Sequence, residues 1–109
     1  MSRVHASSTA TDRIPHPTAS ALDLATILRV VGDPLRLEIV RLLADGRTRF
    51  CSDVSSALGL PPSTCSYHLR LLREAGITRT RADGTLRLLS LRHDDLESRF
   101  PGLVAVLTR

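Results

Sequence analysis

The chain has 109 residues, room for one small domain with a modest core. Its 15 basic residues, every one an arginine, outnumber 11 acidic residues to give a net charge of +4. No apolar run approaches the roughly 18 residues of a membrane span, and no apolar segment follows the N-terminal charges as in a secretory signal. Two cysteines without such a signal fit reduced thiols in the cytoplasm, not a disulfide framework.

Residues 1–18 are rich in Ser, Thr and Ala and poor in large apolar side chains, which predicts a flexible arm ahead of a folded domain over 19–109. A first helix is expected over Ser20–Val31, with Leu22, Ala25, Leu28 and Val31 on one face. Gly32-Asp33-Pro34 then interrupts the chain. Asp33 suits an N-cap and Pro34 the first helical position of a second helix. Leu35, Ile39, Leu42 and Leu43 form its apolar stripe, and Gly46 ends it.

Asp53–Leu58 reads as a short helix burying Val54, Ala57 and Leu58, broken at Gly59. A longer helix follows from Pro62 to a C-terminal stop at Gly76. In it Cys65, Leu69 and Leu72 recur at helical spacing and make one apolar stripe. Ser63, Thr64, Ser66, Tyr67, Arg70 and Arg73 fall on its other faces. A short helix, a glycine turn and a second helix make a helix-turn-helix. Two strand-like runs come next, Ile77–Arg81 and Leu86–Leu91, joined through an Asp83-Gly84 turn. A hairpin placed there is a wing. The last helix is expected from Asp94, with Glu97 completing an acidic capping box and a kink or restart at Pro101-Gly102. The fold class is mainly α with a small β-hairpin wing: a winged helix-turn-helix of about five helices and two strands.

Six arginines against two acids lie between Leu69 and Arg92. That concentrates cations where phosphates would be met, on the second helix and the wing. Short polar groups at the start of that helix, Ser63, Thr64, Ser66 and Tyr67, suit base edges in a major groove. Arg70, Arg73, Arg79, Arg81 and Arg87 suit the backbone. An ordinary solvated surface is the alternative reading of such a charge run. No Gly-rich phosphate loop and no catalytic constellation is present, so an enzyme is not expected. A winged-helix module that binds another protein is the remaining alternative.

The chain resembles the ArsR/SmtB family of bacterial repressors. The likeness rests on the Asp33-Pro34-Leu35-Arg36-Leu37 run, on Leu58-Gly59-Leu60, and on Ser66-Tyr67-His68-Leu69 through Ala75-Gly76. It covers about residues 22–96, and its motifs are specific in combination. It implies a homodimeric repressor on an inverted-repeat operator, released when an effector binds. In the family the first and last helices form the dimer contact. Here those segments carry Leu22, Leu28, Phe100, Leu103, Val104 and Leu107, an apolar strip that one small domain is not expected to cover.

The effector is less legible. The family's common metalloid site has two cysteines one residue apart, and here Phe50 and Ser52 take those positions around Cys51. Soft metals favour two or three thiolates. A second family site uses carboxylates and imidazoles of the last helix, where His93 and Asp95 stand near its first half. Cys51, His93 and Asp95 are therefore the candidate transition-metal ligands, with His5 and His16 of the arm as possible additions. The ordinary readings stand beside these: Cys65 as a small core residue, Cys51 as a passive thiol, His68 as a packed side chain, His93 as a helix flank. A thiol-reactive signal, or a separate effector-sensing partner protein, is the other source of switching.

Overall fold

The computed structural model describes residues 14–109. A 3₁₀ turn at Ala19–Ala21 leads to α1 (Leu24–Val31), α2 (Pro34–Leu42), β1 (Arg49–Phe50), α3 (Cys51–Ala57), α4 (Pro62–Glu74), β2 (Thr78–Asp83), β3 (Leu86–Leu91), α5 (His93–Arg99) and α6 (Leu103–Leu107). This is a mainly α winged helix-turn-helix with a three-stranded antiparallel sheet in the order β1-β3-β2. Most of the expected flexible arm, 1–18, lies outside the described residues; its last five lie against the domain.

Local chemistry sets most boundaries. The Asp33 carboxylate accepts the N–H groups of Leu35 and Arg36 at 2.8 and 3.1 Å, with Pro34 as the first helical residue. Those bonds, the one to Arg36 foremost, hold its carboxyl below the usual range. Asp23 caps α1 in the same way through the Thr26 N–H at 3.0 Å. That cap starts α1 later than the expected Ser20 and turns it: Ile27, Val30 and Val31 face inward, while Ala25 and Leu28 face out. In α2 the buried side chains are Ile39, Val40 and, just past the end, Leu43; Leu35 and Leu42 are half-buried.

Three further features depart from the sequence expectation. The helix expected from Asp53 starts at Cys51, and Ser55 is buried in place of Ala57. The serine tolerates burial because its hydroxyl donates to the Leu60 carbonyl at 2.7 Å. Arg49–Phe50 pairs with Leu88 and Leu89, adding a third strand too short to leave a periodic signal. The wing turn is Gly84-Thr85 instead of Asp83-Gly84, since Asp83 still pairs with Leu86. Gly84 alone has positive φ there (+61°), the requirement of a II′ turn.

The last helix does restart at Pro101-Gly102, giving α5 and α6, but its start is not the expected capping box. α5 begins at His93, and Glu97 accepts the Gly102 N–H at 3.0 Å at the far end instead. The core joins all layers: Ile27, Ile39, Leu43, Val54, Leu72, Ile77, Leu89 and Leu96 are fully enclosed.

Gly76 ends α4 at φ +80°, and a Cβ added there would fall 2.0 Å from Leu22 Cδ2 and 3.1 Å from Pro17 Cγ. Gly46 has nearly the same φ, +79°, with open space around it. Gly76→Ala is therefore expected to combine about 1–2 kcal/mol of left-handed backbone cost with about 1–3 kcal/mol of overpacking. Gly46→Ala carries the backbone cost alone. Urea unfolding of both variants checks the difference; equal losses would show that Leu22 and Pro17 yield freely.

Candidate nucleic-acid interface

The turn between α3 and α4 is closed from both sides. Gly59 takes φ +64°, the Leu60 N–H donates to the Ser55 carbonyl at 3.0 Å, and the Ser55 hydroxyl returns the bond. Pro62 then begins α4, whose first turn needs no amide from it. Cys65, Leu69 and Leu72 are buried as their spacing predicts. Helical geometry therefore turns Ser63, Thr64, Ser66, Tyr67 and Arg70 outward, and all five are exposed. Tyr67 is half exposed, with the Arg70 guanidinium 5.7 Å from its ring centroid. A cation held over that ring gathers an aromatic face and a guanidinium on one exposed patch of helix.

His68 points the other way. It is half-buried, and its Nδ1 lies 3.2 Å from Arg36 Nη1. Arg36 also donates from Nε to the Val30 carbonyl at 2.7 Å. The guanidinium thus ties the α1–α2 junction to the outward helix, a positioning role that the sequence reading missed. An arginine inside a helix stripe shows its destination only when the chain is folded.

The wing distributes its arginines by strand alternation. Thr78, Thr80 and Ala82 point inward, while Arg79 and Arg81 share the exposed face of β2. Arg79 leans toward the wing base, 3.7 Å from Asp95. Arg87 folds over its own turn and donates to the Gly84 and Leu86 carbonyls at 3.1 and 3.0 Å. Arg81 forms no ion pair among the described residues. Between α4 and the wing lies a cleft of about 370 Å³ reached by Arg70, Arg73 and Arg87. Arg73 is half-buried there, with its Nε enclosed and without a hydrogen-bond partner among the described residues.

Cys51 and Cys65 both line a neighbouring cleft of about 300 Å³ between α3 and α4. Burial pushes the Cys51 thiol up, and the neighbouring Cys65 adds to this while Arg87 and Arg73 oppose it. Burial also raises Cys65. The three candidate metal ligands are not brought together. Asp95 is engaged by Arg92, whose Nε donates to it at 3.0 Å, and His93 is exposed, 3.7 Å from Asp94. Among the described residues no three His, Cys, Asp or Glu side chains gather as a metal site.

The candidate interface strip divides in two. Leu22, Val104 and Leu107, expected to await a partner, are enclosed by the protomer's own core. Phe100 and Leu103 are partly buried, whereas Leu28 is 48% and Val106 57% exposed. Leu24 joins them, 41% exposed, around an apolar hollow with Phe100, Leu103 and Val106.

Residues 31–81, which span α2, the helix-turn-helix and the first part of the wing, match the family model described as a helix-turn-helix domain. An HTH-type transcriptional regulator of Bacillus subtilis, YceK, is 37% identical over 84 residues, which cover 76% of this chain and 84% of the relative. An arsenical resistance operon repressor of Staphylococcus xylosus is 35% identical over 75 residues, covering 69% of this chain and 71% of that one. Among solved structures, a homodimeric winged helix-turn-helix DNA-binding domain from Mycobacterium bovis, a possible ArsR-family regulator, superposes with a TM-score of 0.65 at 24% identity. It covers 98% of this chain and 86% of its own.

The exposed face of α4 leads to a contrast between two kinds of variant. Ser66→Ala and Tyr67→Ala should each lose about 1–3 kcal/mol of sequence-specific binding with little change on random DNA. Arg81→Ala and Arg87→Ala should weaken both and lower the salt slope by about 0.9 per lost phosphate contact. Titrations of specific and random duplexes at several salt concentrations separate the classes. Equal losses on both duplexes for Tyr67→Ala would remove α4 from base reading.

Proposed function

The chain belongs to the ArsR/SmtB-type family of winged helix-turn-helix regulators, DNA-binding transcription factors and not enzymes, and from that premise we propose that it is a dimeric repressor acting in the cytoplasm on an inverted-repeat operator. The observation that carries the reading is the orientation of α4. Its apolar stripe is buried and its Ser63, Thr64, Ser66, Tyr67 and Arg70 face is free. Two such helices related by a two-fold axis meet successive major grooves about one DNA turn apart. Arg81, Arg87, Arg70 and Arg73 are assigned to phosphates, with Arg79 shared between DNA and Asp95.

The dimer contact is assigned to the exposed patch of Leu24, Leu28 and Val106, with Phe100 and Leu103 at its floor. The Mycobacterium bovis domain, described as homodimeric, supports assembly into a dimer. Val106→Arg should weaken dimerisation by about 2 kcal/mol or more, as for a central interface residue. Analytical ultracentrifugation measures it, alongside binding to a palindrome selected from a random duplex library. A variant that stays dimeric and keeps full palindrome affinity would place the interface elsewhere.

Release of DNA is assigned to thiol modification in preference to metal capture. Cys51 and Cys65 share one cleft against α4, whereas Cys51, His93 and Asp95 are dispersed. An adduct there would displace the helix that reads DNA. Because burial holds both thiols above their ordinary range, they stay protonated at neutral pH and react faster as pH rises. Peroxide should release operator from the wild type at a rate that climbs with pH, and should leave the Cys51→Ser, Cys65→Ala double variant bound. If the double variant releases DNA as the wild type does, the second reading takes over: a separate partner protein carries the sensor.

A further inference from the structure

We propose that His16 is a positioning residue for DNA binding: it straps the segment ahead of α1 to the edge of the wing and so fixes the wing against the recognition helix. The inference rests on the reading of the wing as a DNA-contacting element. In the strand order β1-β3-β2, β2 has a strand neighbour on one side only among the described residues. The Thr80 N–H on its outer edge donates to His16 Nε2 at 3.0 Å. A backbone donor at a sheet edge ordinarily meets water or another strand; here it meets an imidazole 64 residues away in sequence.

The strap is anchored at several further points. The Pro17 carbonyl accepts from Arg92 Nη1 at 2.7 Å, and Arg92 is itself buried (4% exposed) and paired to Asp95. Arg99 donates from Nη1 to the Ala19 carbonyl. Leu22 and Pro17 lie over Gly76, where a Cβ would otherwise stand. Ala75, Gly76 and Ile77 are the whole connection between α4 and β2. The segment therefore crosses the hinge between recognition helix and wing, bonds to the far side of that hinge at Thr80, and places Ile14 in the cleft beside Arg73 and Arg87. A short three-residue hinge by itself leaves the wing angle soft; a brace across it does not.

The brace depends on protonation. Nε2 accepts only while the ring is neutral. Partial burial is the main cause holding the imidazole below its ordinary value. The guanidiniums facing it from three elements act in the same direction: Arg79 of β2, Arg92 ahead of α5 and Arg73 of α4. The Ile14 backbone opposes them, and Asp95 of α5 lies between Arg79 and Arg92. For a group depressed in the folded state, the contribution is complete above the ordinary imidazole value and is lost as pH falls through the folded one.

The test uses the full chain as wild type, His16→Ala and His16→Gln. Hydrogen exchange of the Thr80 amide and the His16 ring titration are followed by NMR, and affinity is measured for a random-sequence duplex at low salt. In the wild type, Thr80 protection should disappear in step with protonation of His16. His16→Ala should lose that protection at every pH and bind DNA roughly three- to tenfold more weakly, the scale of one net hydrogen bond. His16→Gln, whose side-chain carbonyl replaces the acceptor, should keep protection and affinity and lose their dependence on pH. Unchanged Thr80 protection in His16→Ala overturns the strap, as does a pH dependence that persists in His16→Gln, which also decides the matter if the alanine variant does not fold. Lost protection with unchanged DNA affinity overturns the positioning role. If Arg81→Ala and Arg87→Ala also leave affinity unchanged while Thr80 protection still follows His16, the wing's contact with DNA has failed and the strap itself stands.

Discussion

Burial of the Cys65, Leu69 and Leu72 stripe is the constraint on which the rest of the molecule depends. Fully burying a leucine-sized side chain is worth about 1.5–3 kcal/mol, and Leu72 is completely enclosed. Rotating α4 by one residue about its axis would lift this stripe out of the core and press Ser66, Arg70 and Arg73, or Thr64 and His68, into it. The rotation of the helix is therefore set from behind. The face presented to solvent is fixed by what the opposite face buries, and small polar side chains can occupy it because packing does not claim them.

Around that helix the fold adds polar fasteners at its junctions. Asp33 and Asp23 cap the helices that precede it, and Ser55 closes the turn that leads into it. Arg36 joins the first two helices to His68. Arg92 is the most enclosed of these groups. A buried guanidinium is costly unless its donors are met; here Asp95 and the Pro17 carbonyl meet them. That arrangement gathers the segment ahead of α1, the end of β3 and α5 at one point, below the wing.

All 15 basic residues are arginines, but they are not equivalent. Arg36, Arg92 and Arg99 are engaged with the protein's own backbone. Arg79 is divided between the wing surface and Asp95, and Arg87 is held over its turn. Arg81 and Arg70 project without a carboxylate partner among the described residues. Among the described residues the guanidiniums thus divide into structural ones and others that project without a carboxylate partner.

Features encoded within a few residues are legible in the chain before it folds. The α4 stripe, the Asp33-Pro34 start, the glycine stops, the hairpin and the break at Pro101-Gly102 follow from periodicity, capping and φ, which are local properties of the chain. The register of α1 departs from its apolar spacing because Asp23, not Ser20, caps the helix. The tertiary structure alone decided where long polar side chains end. The bonds of His16 to Thr80, Arg36 to His68 and Arg41 to the Leu107 carbonyl join residues 32 to 66 positions apart. It also decided that Leu22, Val104 and Leu107 complete one protomer's core while Leu28 and Val106 stay outside. An apolar stripe announces that a face will be buried; only the assembled packing says against what, because the partner surface comes from distant parts of the chain.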